Sequence, residues 1–306
     1  MNAPGHISAR NPVAVGHMLR EQFPNLSDLP LEPFQSAATD NVVYRLGTDL
    51  LVRLPQSSSA ADQVAKDARW LPQLAPHLSV EIPTVVGEGR PTDLFPWPWS
   101  VQKWIDGSDA GSGAARDRIE VAAVLGTVVQ EIRRVDTAGA PTPSAANSFR
   151  GAPLATRDDH VRHAARFIEQ MGSNNRFTAG IDVARAMRIW QSAVDAAPWG
   201  GPPVWIHGDL IPGNILMHGT ELAALIDFGC AAVGDPAGDI MAAWTLFQGE
   251  ARKEFLARTH VDDDTHARAR GWAAYVGITA MPYHHDTNPS FCAFARGILD
   301  DMLASE

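Results

Sequence analysis

Residues 204–239 read VWIHGDLIPGNILMHGTELAALIDFGCAAVGDPAGD, and this stretch decides the fold. A short apolar strand at its start runs into a loop that contains Asp209 and Asn214. Two further short strands, separated by a turn at residues 218–220, lead to Asp227. A short loop followed by a tight hairpin can fold these three oxygen-bearing side chains toward one point.

The three side chains form the set that phosphoryl transfer requires. One carboxylate must accept or orient the proton of the acceptor hydroxyl, while the rest of catalysis is positioning and charge compensation. A second carboxylate and an amide oxygen suit Mg²⁺, a hard cation that prefers oxygen ligands. The spacing HxDxxxxN alone is a weak signal, but a following Asp-Phe-Gly after a hairpin-sized gap makes the combination specific.

The first hundred residues predict a small antiparallel sheet that carries one main helix. Apolar runs at residues 41–46 and 49–54 flank Gly47-Thr48, which is typical of a hairpin. Helical spacing of apolar residues over 62–74 predicts the helix. We expect further strands near residues 84–86 and 100–105.

The second half predicts mostly helices. Apolar residues recur at helical spacing over 116–135, 157–171 and 182–196, and again through most of the chain after Asp239. The Gly- and Ser-rich stretch 106–113 separates this half from the sheet. We therefore divide the chain into lobes at 1–105 and 106–306.

Composition excludes several function classes. The 306 residues carry a formal charge of -10, which argues against a general nucleic-acid binder. Two cysteines are too few for a disulfide framework, and a reducing cytosol fits that count. The first ten residues lack the apolar core of a signal peptide, and no apolar run approaches the about 20 residues that span a bilayer. We expect a cytoplasmic protein without membrane or nucleic-acid partners, of unknown oligomeric state.

Residues 204–239 resemble the catalytic core of the aminoglycoside phosphotransferase family, relatives of choline kinase and of eukaryotic protein kinases. This family has glycine where protein kinases carry arginine between the His and the Asp, as Gly208 does here. The resemblance extends into Gly234-Asp235-Pro236 and Asp239, and more diffusely over most of the chain. Other segments that look familial are Leu46 to Pro55, Arg69 to Pro72, Pro96 to Ser100 and Arg270 to Ala273.

The resemblance implies a fold and a reaction. The fold is α+β and two-lobed, with an N-terminal nucleotide-binding lobe and a C-terminal lobe for catalysis and acceptor binding. ATP or GTP lies between the lobes, and its γ-phosphate moves directly, in line, to a hydroxyl of a small molecule. Asp209 is the base, and Asn214 and Asp227 hold Mg²⁺. His207 braces the loop, while Asp235 and Asp239 cap or brace a helix start near Pro236.

The same resemblance places a cation on a strand of the first lobe, where it reaches the nucleotide phosphates. Arg53 occupies that position, and Asp67 on the main helix is its best-placed acidic partner. Both depart from the lysine and glutamate of protein kinases, and arginine is not interchangeable with lysine. An exposed strand arginine and an incidental surface aspartate remain the alternative.

Two backbone segments complete the expected nucleotide site. The loop from Gln35 to Asn41 should cover the phosphates, but it contains no glycine, so we expect the hydroxyls of Ser36 and Thr39 to donate instead. Lys103, Trp104 and Ile105 lie where the resemblance places the interlobe hinge, whose backbone can offer an N–H and a C=O to a purine. Neither segment distinguishes ATP from GTP.

The acceptor remains open from sequence. A negative net charge suits a cationic acceptor such as an aminoglycoside, although such a charge more often reflects solubility alone. Macrolides, choline, homoserine and thioribose sugars are other acceptors of related enzymes. The acidic candidates for an acceptor site are Asp158, Asp159, Glu169, Asp262, Asp263, Asp264, Asp286, Asp300 and Asp301.

Two alternative functions are weighed against the kinase. A nucleotide-binding module with little catalysis is favoured by the glycine-free loop and by Arg53 in place of lysine. A hydrolytic metal site made by His207, Asp209 and Asp227 lacks the further closely spaced ligands that such sites use.

Overall fold

The computed structural model describes residues 9–34, 40–111 and 113–304. Its strands are β1 Leu31–Phe34, β2 Asn41–Leu46, β3 Leu50–Pro55, β4 Val85–Gly89, β5 Trp99–Lys103, β6 Ser108–Asp109, β7 Val204–Ile206, β8 Ile215–His218, β9 Glu221–Leu225 and β10 Ala232–Gly234. Its α-helices are α1 Pro12–Gln22, α2 Ser58–Leu74, α3 Ile119–Arg133, α4 Asp158–Met171, α5 Val183–Asp195, α6 Ala237–Ile240, α7 Ala242–Thr245, α8 Gly249–Thr259, α9 Asp263–His284 and α10 Pro289–Ala304.

Short 3₁₀ helices connect several of these elements. They span Pro24–Leu26, Ala75–His77, Ala145–Asn147, Leu154–Arg157, Gly172–Asn174, Pro212–Asn214 and Phe228–Cys230. Among the helices of the described ranges, none combines the length and the apolar character needed to cross a bilayer.

The chain forms two compact units. The first comprises the residues up to Ala110 together with Gly213–Gly229, and we call it the sheet unit. The second comprises Gly111–Pro212 together with the chain from Cys230 onward, and we call it the helical unit. The hairpin that carries Asp227 is therefore part of the sheet unit, although it lies late in the sequence.

The sheet unit is built on five antiparallel strands in the order β1-β2-β3-β5-β4. Gly47, with φ +63°, makes the tight turn between β2 and β3 in a conformation that glycine adopts without strain. Alternate residues of β2, β3 and β5 face one apolar core, in which Tyr44, Val52 and Trp99 are buried. This architecture confirms the antiparallel sheet that the sequence predicts.

Helix α2 is the main helix of the sheet unit, as predicted, but it begins earlier than its apolar spacing indicated. The hydroxyl of Ser57 accepts a hydrogen bond from the N–H of Ala60 at 3.2 Å and caps the first turn. Val64, Trp70 and Leu71 are buried along one side. The N-terminal turn carries few apolar residues, so periodicity alone placed the start too late.

Strand β1 was not predicted from the sequence. It contains Pro33, it lies at the edge of the sheet, and three of its four residues are exposed. Proline cannot donate to a ladder and is tolerated in an edge strand. An exposed edge strand has no buried face, so it gives no alternation to read.

The helical unit is organised around α9, most of which is buried. Helices α4, α5 and α10 pack against it, and α3 packs against α8. A Cβ added at Gly126 on α3 would lie 2.6 Å from Cβ of Arg258 on α8, so glycine permits this close approach. The predicted helical character of the second half is confirmed.

A buried ion pair fixes the chain where α6 begins. Both carboxylate oxygens of Asp235 accept hydrogen bonds from Arg268 on α9, at 2.6 Å from Nε and 3.2 Å from Nη2. Asp235 also accepts from the N–H of Ala237 at 3.0 Å and so caps the helix. Its predicted capping role is present, whereas no sequence pattern indicated Arg268.

We expect Arg268→Met to lower the free energy of unfolding by about 3–5 kcal/mol, because Asp235 is left as an unpaired buried charge. Lys253→Met is the matched control, since Lys253 pairs with Glu250 at the surface and should contribute at most about 1 kcal/mol. Urea denaturation of both variants measures the difference. Equal, small losses would contradict this account of the Asp235 pair.

Candidate active site

A buried carboxylate, that of Asp239, binds the backbone of the loop that carries Asp209. Strand β7 ends at Ile206, and the backbone N–H groups of His207 and Gly208 both donate to Asp239, at 2.9 and 2.7 Å. Asp239 is fully buried in α6, and burial raises its pKa, although His207, the two N–H donors and Arg133 oppose this shift. Asp239 therefore braces the loop rather than the helix start near Pro236.

Gly208 is required by the shape of this loop. Its φ of +81° lies in the left-handed region, and an added Cβ would lie 2.6 Å from the carbonyl oxygen of Cys230. The side chain of Arg150 occupies the other side, 3.0 Å from the same position. A side chain at residue 208 would be strained by the backbone and also blocked by its neighbours.

We expect Gly208→Ala to destabilise the protein by at least about 2 kcal/mol, from backbone strain plus overpacking. Gly180→Ala separates the two causes, because Gly180 has φ +73° and no atom within 4 Å of an added Cβ. We expect only about 1 kcal/mol for that control. The measurement is chemical denaturation, and equal losses in both variants would show that the contact with Cys230 contributes nothing.

Asp209 pairs with a buried arginine. Nη2 of Arg150 donates to Oδ1 of Asp209 at 3.2 Å, and the Asp209 N–H donates to Nδ1 of His207 at 3.3 Å. The Asp209 side chain keeps 24% of its surface exposed, whereas Arg150 is buried. The predicted base is thus fixed in orientation and still open to solvent.

Arg150 is a site residue that sequence reasoning missed. It lies in a loop where Ser148, Phe149 and Gly151 all have positive φ, at 53°, 56° and 78°. Non-glycine residues rarely adopt this conformation, and such strain persists only where the surroundings enforce it. Here the carbonyl of Gly151 accepts from the N–H of Asp235 at 2.9 Å. The one sequence signal was the pair Arg150-Gly151 beside a proline, which is too common to single out.

In the sheet unit, Arg53 on β3 and Asp67 on α2 are brought together. Nη1 of Arg53 lies 2.9 Å from Oδ2 of Asp67, and both side chains are largely buried. Nη2 of the same guanidinium lies 3.2 Å from Oδ1 of Asp227. One cation therefore joins the strand, the helix and the loop after β9.

Two amide side chains complete the surroundings of Arg53, and neither was predicted. Gln63 on α2 accepts from Nη2 at 3.3 Å. With its amide oxygen turned toward the guanidinium, Asn41 accepts from Nη2 and Nε at 3.0 and 3.1 Å. All three nitrogens of the guanidinium therefore have partners within the sheet unit.

Burial and the charge of the ion-pair partner shift the pKa values of Asp67 and Arg53 in opposite directions. The pKa of the Asp67 carboxyl is raised to about 6, because burial, together with the nearby Asp227 carboxylate, outweighs the attraction of Arg53. Oδ1 of Asp67 has no hydrogen-bond partner among the described residues. Burial would lower the pKa of Arg53, but Asp227 and Asp67 outweigh it and the net pKa is raised.

These shifts predict a pH-dependent stability. The folded protein holds a proton on Asp67 more tightly than the unfolded chain, so its contribution to stability is largest below pH 4 and is lost as the pH rises toward about 6. Relative to Asp67→Asn, we expect the free energy of unfolding to fall by up to about 3 kcal/mol over this range, at about 1.4 kcal/mol per pKa unit. Urea titrations of both proteins at several pH values measure it, and parallel curves would contradict the shift.

Asn214 and Asp227 lie at the two ends of the β8–β9 hairpin. The carbonyl of Asn214 accepts from the N–H of Ile226 at 3.0 Å, which links the residues before and after the hairpin. Asp227 has φ +61°, a strained conformation for a residue with a side chain. Its Oδ1 accepts from Arg53 and from the N–H of Gly229, while Oδ2 accepts no hydrogen bond from the described part of the chain.

This donor set fits Mg²⁺. A carboxylate oxygen without a partner and a side-chain amide are ligand types that a hard cation prefers. Within the described ranges, no cluster of three or more His, Cys, Asp or Glu could hold a metal. Mg²⁺ commonly takes one or two protein ligands and completes its shell with phosphate and water, so a larger cluster is not required.

The backbone N–H groups of the three predicted hinge residues differ in their hydrogen bonding. The backbone N–H of Lys103 donates to the carbonyl of Thr84 at 2.9 Å, and the backbone N–H of Trp104 donates to the carbonyl of Asp49 at 2.8 Å. The Trp104 ring lies 3.8 Å below the guanidinium of Arg45. Of the three hinge residues, Ile105 has a backbone N–H that makes no hydrogen bond to another described residue.

Some predicted residues are not brought together within one unit. Asn214, Asp227, Arg53 and Asp67 belong to the sheet unit, whereas Asp209 belongs to the helical unit. The convergence of Asp209 with the two metal-ligand candidates stays a prediction. Ser36 and Thr39 lie outside the described residues.

The chain is similar to known proteins in sequence and in fold. The sequence profile of the phosphotransferase enzyme family matches residues 31–272. A search of the curated proteins gives no significant match.

Solved structures share the fold at low sequence identity. A GDP complex of a mutant aminoglycoside 2'-phosphotransferase-IIIa has a TM-score of 0.72 at 19% identity, covering 96% of this chain and 98% of that chain. The streptomycin–ATP complex of APH(2'')-IIa has a TM-score of 0.59 at 17% identity, with coverages of 96% and 99%. Macrolide 2'-phosphotransferase MphH from Brachybacterium faecium has a TM-score of 0.60 at 21% identity, with coverages of 94% and 97%. These likenesses confirm the predicted protein-kinase-like fold.

Proposed function

Because the chain belongs to the phosphotransferase enzyme family, we propose that it is a Mg²⁺-dependent small-molecule kinase acting in the cytoplasm. It transfers the γ-phosphate of ATP or GTP to a hydroxyl group of its acceptor. The observation that carries this proposal is the rigid, partly exposed Asp209, held by Arg150 and by a loop braced on Asp239. Such a carboxylate is suited to proton transfer at a bound hydroxyl.

In the proposed reaction, Asp209 accepts the proton of the acceptor hydroxyl. The hydroxyl oxygen forms a bond to the γ-phosphorus, and the bond from that phosphorus to the bridging oxygen of the β-phosphate breaks. A nucleoside diphosphate leaves with the electron pair of the broken bond. Arg150 serves as a positioning residue, because its guanidinium donates to Oδ1 of Asp209 and so fixes the orientation of that carboxylate.

On the nucleotide side, the roles follow the side-chain chemistry. Asn214 and Asp227 would hold Mg²⁺, which compensates the charge of the phosphate oxygens. Arg53 binds phosphate after exchanging one of its present partners, and Asp67 keeps it in place. The backbone N–H of Ile105, with Lys103 and Trp104 beside it, donates to the purine ring of the nucleotide. The hydroxyls of Ser36 and Thr39 donate to its phosphates.

Similar structures support nucleotide binding, but they do not distinguish ATP from GTP as the phosphate donor. One contains GDP and another contains ATP, so we propose both donors. The ATP complex also contains streptomycin, and another similar structure is that of a macrolide 2'-phosphotransferase. Hydroxylated antibiotics and hydroxylated metabolites are therefore both acceptor candidates for this chain.

A nucleotide-binding module with little catalysis is the second candidate. The observation that favours it is the occupied guanidinium of Arg53, whose nitrogens all have protein partners. A phosphate would have to displace Asp227 or an amide from this group. The two functions differ in whether phosphate reaches an acceptor.

We expect Asp209→Asn to reduce transfer about 10²–10⁴-fold while the affinity for nucleotide stays unchanged, because only the general base is lost. Asp227→Asn should instead abolish the Mg²⁺-dependent part of nucleotide binding. The measurements are transfer of labelled γ-phosphate to a panel of hydroxylated acceptors, and thermal stabilisation by ATP or GTP with and without Mg²⁺.

Asp195→Asn is the control, since it removes an exposed aspartate of the helical unit, at the C-terminal end of α5. Full transfer by Asp209→Asn would remove the assignment of the base. Tight, Mg²⁺-dependent nucleotide binding without transfer to any acceptor would favour the binding module.

A further inference from the structure

Arg150 begins a series of contacting side chains that leads to a second cation, Arg157. The guanidinium carbon of Arg150 lies 5.3 Å from the Trp272 ring and 5.6 Å from the Tyr275 ring. The guanidinium carbon of Arg157 lies 5.5 Å from the same Tyr275 ring, and its Nη2 is 3.1 Å from the Tyr275 hydroxyl. Two guanidinium groups therefore contact one aromatic ring next to the candidate base, Asp209.

Arg157 has no acidic partner in the part of the chain that the structure describes. Its contacts are the Tyr275 hydroxyl, Nδ1 of His160 at 3.1 Å and the Phe149 ring at 4.8 Å. Its Nε is buried without a hydrogen-bond partner. His160 supplies no negative charge in either protonation state, and burial, followed by the charge of Arg157, lowers its pKa.

A partly buried cation without a counter-charge is costly unless a ligand supplies one. The guanidinium of Arg157 is nevertheless held in one orientation, by the Phe149 and Tyr275 rings and by two polar atoms. Arginine in a fixed orientation binds carboxylate or phosphate oxygens through paired N–H groups. Phe149, with 36% of its surface exposed, adds an apolar wall beside it.

Six of the nine acidic candidates for binding a polycationic acceptor have protein partners. Asp158 pairs with Arg162 at 2.7 Å and accepts from Trp190, and Asp262 caps α9 through the N–H of Thr265. Four more of the nine acidic candidates also have protein partners: Asp264, Asp286, Asp300 and Asp301. These carboxylates cap helices and form ion pairs, so they are poorly placed to bind amines as a group.

We propose that Arg157, together with the Tyr275 hydroxyl, binds an anionic group, such as a carboxylate, on the acceptor that is phosphorylated at Asp209. This inference rests on the proposed function and names its acceptor class. The acceptor is a hydroxylated, anionic metabolite rather than a polyamine antibiotic. Arg157 is then the residue that determines specificity, and Arg150 remains the residue that positions the base.

The test uses the full chain and a deproteinised cell extract, separated by ion exchange into anionic, neutral and cationic small molecules, with kanamycin as a reference polyamine. Each fraction is incubated with labelled ATP or GTP, and phosphorylated product is measured. We expect product from the anionic fraction. In Arg157→Gln, kcat/KM for that acceptor should fall about 10- to 100-fold, mainly through a higher acceptor KM, as expected when a charge-assisted hydrogen bond is lost.

Arg166→Gln is the matched control, because it removes the same charge from an exposed position of α4, close to Arg157 in sequence. The nucleotide KM and the melting temperature should be the same in both variants. If Arg157→Gln does not fold, Arg157→Lys, which keeps the charge and loses the planar pair of donors, should show a smaller loss in the same direction.

Two results would overturn the inference while the proposed function stands. One is product from the cationic fraction or from kanamycin but not from the anionic fraction. The other is unchanged transfer to the anionic acceptor in Arg157→Gln. Nucleotide binding without product from any fraction would instead contradict the proposed function, and this inference with it.

Discussion

The contact on which the catalytic loop depends is the one between a buried carboxylate and two successive backbone N–H groups. Asp239 accepts from His207 and Gly208, and it has no exposure to water. A charge in such a place needs donors on its oxygens, and the loop can supply them only in the turned conformation that Gly208 permits. Helix α6 and the loop are thereby fixed relative to each other, and Asp209 follows in a defined position.

The two units use arginine in different ways. Arg53 is shared by Asp67 and Asp227, so a single guanidinium lies between two carboxylates. Among the described residues, Arg150 forms an ion pair with Asp209, contacts Sδ of Met241 and lies near two aromatic rings. The first arrangement suits a ligand that brings several negative charges. The second keeps a single carboxylate in one orientation, with little freedom to form other pairs.

Sequence patterns predicted the fold class, the β2–β3 hairpin and the main helix because these rest on local periodicity and turn residues. They also indicated Asp209, Asn214 and Asp227, whose spacing lies within one short stretch. They did not indicate Arg150 or Arg268, since each contacts its carboxylate partner only through the tertiary fold, across 59 and 33 residues. The edge strand β1 was missed for the complementary reason, that it has no buried face to produce a pattern.

The crowded position of Gly208 has an evolutionary consequence. Protein kinases carry arginine at the corresponding place, but here any side chain would meet the carbonyl of Cys230 and the stem of Arg150. A lineage could exchange one loop type for the other only by altering the backbone turn and both neighbours together. A substitution of Gly208 alone would combine backbone strain with these two contacts, so selection for stability favours glycine wherever this turn and both neighbours are kept.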